Sequence, residues 1–415
     1  MYYFLFTLYL AIACLLIIRI PFIKDSGLTS GLIWALFLVK IFAGLLLGWM
    51  SQKFYPQGND YWGLNIAGLD EYRVLLSNPK RFIGDIFISP YPNGYAGFFD
   101  ATGTYWNDLK NNLIIKLLAC CNIFSRGNYY INSLFFNFIG FFGPVALYRV
   151  FADIFRQKKW LNICGCFLLP STLYFTSGIH KDLVVFTMLG LFSYALYFSI
   201  QKKLTIPYFF SICITFFSLL LMRNFLAIAI VPAGIAFILA QRSRFNKPVI
   251  FILTYCVGFL ILFSFQLLKP SFEPLKIISQ RQRDFIDLPY AASQLNKQIL
   301  EPTLTSLVKN TPEALNHSLL RPYLWEHPTI FLIPLAIELF IYQVLFGIMI
   351  IWHHKTNGQI NAFILFALFL TISMLLFTGF IVPNIGSIVR YRSIYLPFLL
   401  TPVLCSIKWK KTSFY

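Results

Sequence analysis

The chain has 415 residues, of which 58% are hydrophobic and only 12% charged, and its mean hydropathy is +0.68. A soluble domain carries about 25% charged residues, so polar groups cannot cover this surface and most of it must face lipid. The same composition excludes a disordered chain, a collagen and a secreted disulfide scaffold, and the net charge of +18 has to be placed relative to a membrane before it is read as a nucleic-acid footprint.

A helix needs about 20 apolar residues to cross roughly 30 Å of hydrocarbon. In chain order, such runs predict spans near 2–21, 29–50, 130–149, 160–179, 183–200, 206–222, 225–240, 248–268, 329–352, 359–381 and 393–407. The expected fold is therefore all-α, a polytopic transmembrane helical bundle of about eleven spans in a single domain, with two long extracytoplasmic loops that carry short interfacial helices. Two divisions are forced by length. The run 206–240 would be about 50 Å long as one helix, so it is broken at Arg223-Asn224, and 160–200 is broken at His180-Lys181-Asp182. Met1 is followed directly by apolar residues without a basic leader, so the first run reads as a retained span. Cysteines 14, 120, 121, 164, 166, 213, 256 and 405 lie mostly within apolar runs and read as small buried hydrophobes.

Basic residues in short connections set the orientation. Lys24, Arg149, Arg156, Lys158, Lys159, Lys202, Lys203, Arg242, Arg244, Lys247, Lys355, Lys408, Lys410 and Lys411 all fall on one side when the spans alternate, opposed only by Asp25 and Asp153. That side is the cytoplasm, so the N-terminus is outside, the C-terminus is inside and nucleic acid is not a partner. The opposite side receives every remaining acid except Glu338, together with two long loops, 51–129 and 269–328. Segment 113–124 within the first loop is apolar but short, and reads as interfacial or re-entrant.

Three outer turns collect cations against the positive-inside bias: His180 and Lys181, Arg223, and Arg390 with Arg392. Either they snorkel to headgroups or they converge as a phosphate clamp. Asp60 follows the second span by about ten residues, in Gln57-Gly58-Asn59-Asp60-Tyr61-Trp62, and Asp70-Glu71 follows ten residues later. A carboxylate at that depth can take a proton from a sugar hydroxyl, whereas Asp85, Asp100 and Asp108 read as solvated loop acids. Tyr61 and Trp62 can stack on sugars or join the interfacial aromatic belt. Lys40 and Glu338 fall in mid-span, where the simplest expectation is a mutual ion pair. His353-His354 reads as a capping pair at a helix end. P-loop, GxSxG, HExxH and Rossmann motifs are absent.

Leu168-Leu169-Pro170-Ser171-Thr172 through His180-Lys181-Asp182 resembles a recurrent segment of bacterial surface-polysaccharide membrane proteins, and Val389-Arg390-Tyr391-Arg392 leading to Tyr395-Leu396-Pro397 resembles the start of a late span in the GT-C class of integral-membrane glycosyltransferases. The resemblance implies an inner-membrane enzyme of a bacterium that takes a sugar or glycan from a polyprenyl-(di)phosphate donor, with membrane lipids as its other partner. The short distance of Asp60 from the second span, rather than the family pattern, makes it the expected base; the acidic pair of that pattern is matched further along by Asp70-Glu71, which is the runner-up base or the ligand of a divalent cation, magnesium or manganese. His180, Lys181, Arg223, Arg390 and Arg392 would hold the donor phosphates, and Tyr61 and Trp62 the sugar. O-antigen-polymerase-like proteins are the close second, sharing the span count, the long outer loops and the outer arginines. A flippase or exporter and a noncatalytic envelope subunit remain as further alternatives.

Overall fold

The structure is a computed structural model that describes residues 1–55, 59–92, 94–95, 103–268, 272–288, 293–326, 329–352 and 360–409. Asp100, His353, His354, Lys355, Lys410 and Lys411, together with Gln57 and Gly58, lie outside these residues. Among the described residues all regular structure is helical, apart from one isolated antiparallel bridge between Gln294 and Asn384.

All eleven apolar runs form helices, but seven, not eleven, are long and apolar enough to cross a membrane: Ser30–Phe54, Tyr129–Ile154, Lys181–Gln201, Asn224–Arg242, Lys247–Leu268, Leu332–Ile351 and Ala362–Ile381. An eighth is reached if Ile385–Ser393 and Leu396–Ser406, bent by 65°, count as one. Tyr2–Ile17 and Ile206–Met222 are apolar but only 16 and 17 residues long. The expected span 160–179 is cut into Lys159–Phe167 and Pro170–Phe175. Pro170 causes the cut, since it lacks an N–H and its ring disfavours the helical conformation at Leu169.

The chain divides into two compact units. The first comprises Met1–Arg149, Leu173–Ala195 and Thr205–Asn224. Here the described residues of 51–129, expected as an outer loop with interfacial segments, include the helices Asp60–Ser77, Pro79–Gly84 and Tyr105–Ser125. Asp60–Ser77 packs against Tyr105–Ser125, and the expected interfacial segment 113–124 is the second half of the latter helix. The two approach closely at Gly68, where a Cβ would strike Leu118. Buried asparagines fasten this layer. Asn132 donates to Oδ1 of Asn65 at 2.9 Å and of Asn122 at 2.7 Å, and Asn65 donates to the Gly127 carbonyl at 3.1 Å. Asn132 and Asn122 are fully buried, so these bonds replace hydration that burial removes.

The second unit comprises Val150–Thr172, Leu196–Leu204 and Phe225–Tyr415. A fully buried aromatic cluster of Phe237, Phe363 and Phe366, joined by Tyr197, forms much of its core. The stretch 269–328 again contains helices, Pro274–Ile286 and Leu304–Leu315, the latter running into a π-turn at Asn316–Leu320. Leu304–Leu315 crosses Ala362–Ile381 at Gly379, where a Cβ would fall on the Ala314 carbonyl oxygen. Because that obstacle is backbone, Gly379→Ala should cost about 1–3 kcal/mol, read as a lowered unfolding midpoint in detergent. An unchanged midpoint would show that the two helices part freely.

All eight cysteines are free; Cys166 and Cys405 are buried as expected, whereas Cys120, Cys164 and Cys256 are exposed on the outward faces of their helices. Lys40 and Glu338, expected to pair with each other, are both buried, and each bonds to other groups of its own unit. Lys40 donates to the Thr176 carbonyl at 2.6 Å and to Ser177 Oγ at 3.3 Å. Glu338 accepts from the Ser171 N–H at 3.0 Å, from Ser171 Oγ at 3.0 Å and from the Tyr342 hydroxyl.

Candidate functional site

In the first unit the turn 176–182 is built by buried polar residues. Lys40 binds its start, and Asn137 Oδ1 accepts the Gly178 N–H at 3.2 Å. Gly178 has φ of +78°, a conformation that favours glycine. The turn delivers His180, Lys181 and Asp182 together. Asp182 is fully buried and receives the Arg223 guanidinium on Oδ1. His180 Nδ1 lies 3.0 Å from Asp182 Oδ2 and 3.1 Å from the Asp182 backbone nitrogen. It accepts that N–H when unprotonated and donates to the carboxylate when protonated. Arg223 is thus neutralised by an acid next to the expected cations. Lys181 opens the Lys181–Gln201 helix, is partly exposed, and has no carboxylate partner among the described residues.

The Asp60–Ser77 helix begins beside this turn. Asn59 caps it by accepting the N–H groups of Tyr61 and Trp62 at 3.1 and 3.3 Å. The Tyr61 ring packs 4.9 Å from the His180 ring. Trp62 stacks on Tyr129 at 4.3 Å and donates its indole N–H to the Gly48 carbonyl at 3.0 Å. Trp62 is therefore a fixed anchor, whereas Asp60 stands exposed in the helix's first turn. Asp70 and Glu71 are ten and eleven residues further along the same helix, about 15 Å away at 1.5 Å per residue. Asp70 pairs with Arg73 at 2.9 Å on the surface, and Glu71 pairs with the buried Lys116 at 2.5 Å. Asp60 is not brought together with either of them, and no group of three metal-ligating residues forms among the described residues.

Arg390 and Arg392 belong to the second unit, on the Ile385–Ser393 helix capped by Asn384. Arg392 is buried and donates through Nη1 to the carbonyls of Ser318 and Arg321, both at 2.9 Å. Arg390 is partly buried, its guanidinium 5.4 Å from the Tyr391 ring. Sequence reasoning missed the cations that surround this helix. Lys297 donates to the carbonyls of Gly379 and Val382. Arg321 pairs with Glu326 at 3.1 Å, and His317 Nε2 lies 3.8 Å from Glu313. Burial lowers Lys297 to about 8, with Glu313 acting the other way.

Burial, then Lys297 and Arg321, pull His317 from its ordinary 6.5 down to about 4. Between those two values the unfolded chain binds a proton here that the folded chain refuses, so stability falls as pH drops from about 6.5 to about 4. Above that window His317 contributes no pH dependence. His317→Gln should flatten this part of the curve in thermal unfolding at fixed ionic strength, and an unaltered slope would assign the titration to another group.

Comparison with known protein families, with characterised proteins and with solved structures gives no match.

Proposed function

We propose that the chain is a polytopic membrane glycosyltransferase that moves a sugar from a polyprenyl-phosphate or polyprenyl-diphosphate donor to an acceptor oxygen at the outer face of a bacterial inner membrane. One observation carries the reading: an exposed carboxylate, Asp60, opens a helix whose next residue packs on His180, the neighbour in sequence of Lys181, a cation with no carboxylate partner among the described residues. Acid and cation are the two groups that this transfer requires. The acceptor oxygen bonds to the anomeric carbon and gives its proton to the Asp60 carboxylate. The bond from that carbon to the phosphate oxygen breaks, and the phosphate departs with the electron pair toward Lys181. Arg223, already neutralised by Asp182, orients the turn instead of binding phosphate. The motif resemblance around His180 and Arg390 supports the same class.

A second reading, a polymerase of lipid-linked glycans, is favoured by the presence of separate cationic centres in the two units, at Lys181 and around Arg392. A polymerase handles two lipid-linked chains and so needs two phosphate sites. Both readings are tested by reconstituting the protein in vesicles with a labelled polyprenyl-phosphate-linked sugar. A monosaccharide donor that is consumed singly supports the transferase; products that lengthen only from preassembled lipid-linked units support the polymerase. No transfer from any lipid-linked donor would remove both.

A further inference from the structure

Beyond Asp60 and its surroundings, three buried side-chain nitrogens of the second unit that lack a hydrogen-bond partner meet at one turn. Nδ1 of His317, Nε of Arg321 and Nε of Arg392 are each buried and have no hydrogen-bond partner among the described residues. They are close in the fold. His317 lies within the π-turn Asn316–Leu320 and Arg321 directly follows it, and Arg392 reaches the backbone here at Ser318 and Arg321. The His317 and Arg392 side chains are nearly inaccessible, so water does not freely complete their bonding. A buried N–H left unmade is costly, and the two guanidinium Nε groups at this turn require an acceptor, to which His317 adds a third donor when Nδ1 carries its proton.

Part of each guanidinium is already committed. Arg392 spends Nη1 on two carbonyls, and Arg321 gives Nη2 to Glu326. Tyr323 holds the turn from below, its hydroxyl bonded to Asn316 Oδ1 at 2.5 Å and its ring stacked 4.9 Å from Trp325. Trp325 is strongly exposed and offers an open aromatic face beside the turn. Glu313 and Glu326 oppose the cations, Lys297 reinforces them, and His317 is neutral at pH 7, so the turn keeps a positive balance.

We propose that the turn Asn316–Tyr323, closed by Arg392, is an oxyanion site that takes a phosphate or diphosphate group through Nδ1 of His317 and Nε of Arg321 and Arg392. Phosphate oxygens accept several short charge-assisted bonds at once, which suits three donors of this kind. The group arrives either on a lipid headgroup or as a free anion. The site shares Arg392 with the donor-binding expectation but adds His317 and Arg321, and it stands whether or not the chain transfers sugar.

The test uses the full chain in phosphatidylcholine nanodiscs, titrated with inorganic pyrophosphate at constant ionic strength and read by the rise in unfolding midpoint. Saturable protection is expected, weakened at least tenfold in Arg321→Gln and in His317→Gln. Should Arg321→Gln not fold, Arg321→Lys keeps the charge, lacks the Nε donor and should still weaken binding. Affinity should also tighten more from pH 7.5 to 6 in the parent than in His317→Gln, because a bound anion raises the histidine's proton affinity. Nanodiscs containing polyprenyl phosphate, compared with phosphatidylglycerol, distinguish the sources. Competition by the polyprenyl lipid alone indicates a headgroup, and its failure to compete indicates a free anion. Asp60→Asn should bind pyrophosphate normally, so loss of transfer and loss of this site are separable. Absence of saturable protection by any phosphate, or equal affinity in both variants, overturns the proposal.

Discussion

Asp60→Asn should reduce sugar transfer by about 10²- to 10⁴-fold, the usual contribution of a positioned general base, while leaving the protein folded. The exposure of Asp60 and the identity of the helix cap explain why the two effects separate. Asn59, not Asp60, accepts the first free N–H groups of the Asp60–Ser77 helix, so the substitution removes no capping bond. The substitution removes one negative charge from the first turn, worth about 0.3–1 kcal/mol there. Asp60→Glu keeps the basicity and should retain part of the activity. Asp70→Asn should be nearly silent, because that carboxylate lies on the surface with Arg73. Glu71→Gln should lower stability, because it strands Lys116, whose other bond is to the Phe82 carbonyl. Full transfer by Asp60→Asn would move the base elsewhere, and full transfer by a variant that combines Asp60→Asn, Asp70→Asn and Glu71→Gln would remove the carboxylate chemistry altogether.

The sequence exposes the apolar runs well and the lengths of the resulting helices poorly. Hydropathy averaged over 160–179 is blind to the single residue that decides the outcome there, since Pro170 stops one helix and starts another without lowering apolarity. The same break misled the reading of the buried charges. Two opposite charges in apolar runs look like partners, but helix ends carry unpaired N–H and carbonyl groups that serve equally well. Glu338 meets the N–H of Ser171 at the start of Pro170–Phe175, and Lys40 meets the carbonyl of Thr176 just past its end. Each charge has the sign that the helix dipole favours at its position. The turn at His180 was legible as a polar interruption, and Asp60 as a carboxylate close after a span. Their link through Tyr61 was not, because a contact between residues so distant in sequence leaves no periodic trace. In 269–328 a stripe was available in Leu304, Leu307, Leu315 and neighbours, but without it the stretch reads as loop and its His317 and Arg321 as solvated.

The largest structural effect is expected at Arg223. Its guanidinium is the partner of Asp182 Oδ1, and Asp182 has no exposure through which water can take over. Breaking a buried pair from one side leaves an uncompensated charge and costs about 3–5 kcal/mol. Arg223→Met should therefore lower the unfolding midpoint in detergent severely. Loss of the pair also frees the carboxylate beside His180, so transfer should fall with it even in the surviving folded fraction. Arg223→Met combined with Asp182→Asn removes both charges and should recover much of the stability, since the amide can still engage the His180 ring nitrogen and little charge remains to solvate. The coupling between the two sites should then exceed the few tenths of a kcal/mol seen for independent positions. Strictly additive losses would mean that Arg223 and Asp182 act separately, and with that the account of how the turn bearing His180 and Lys181 is held in place would fail.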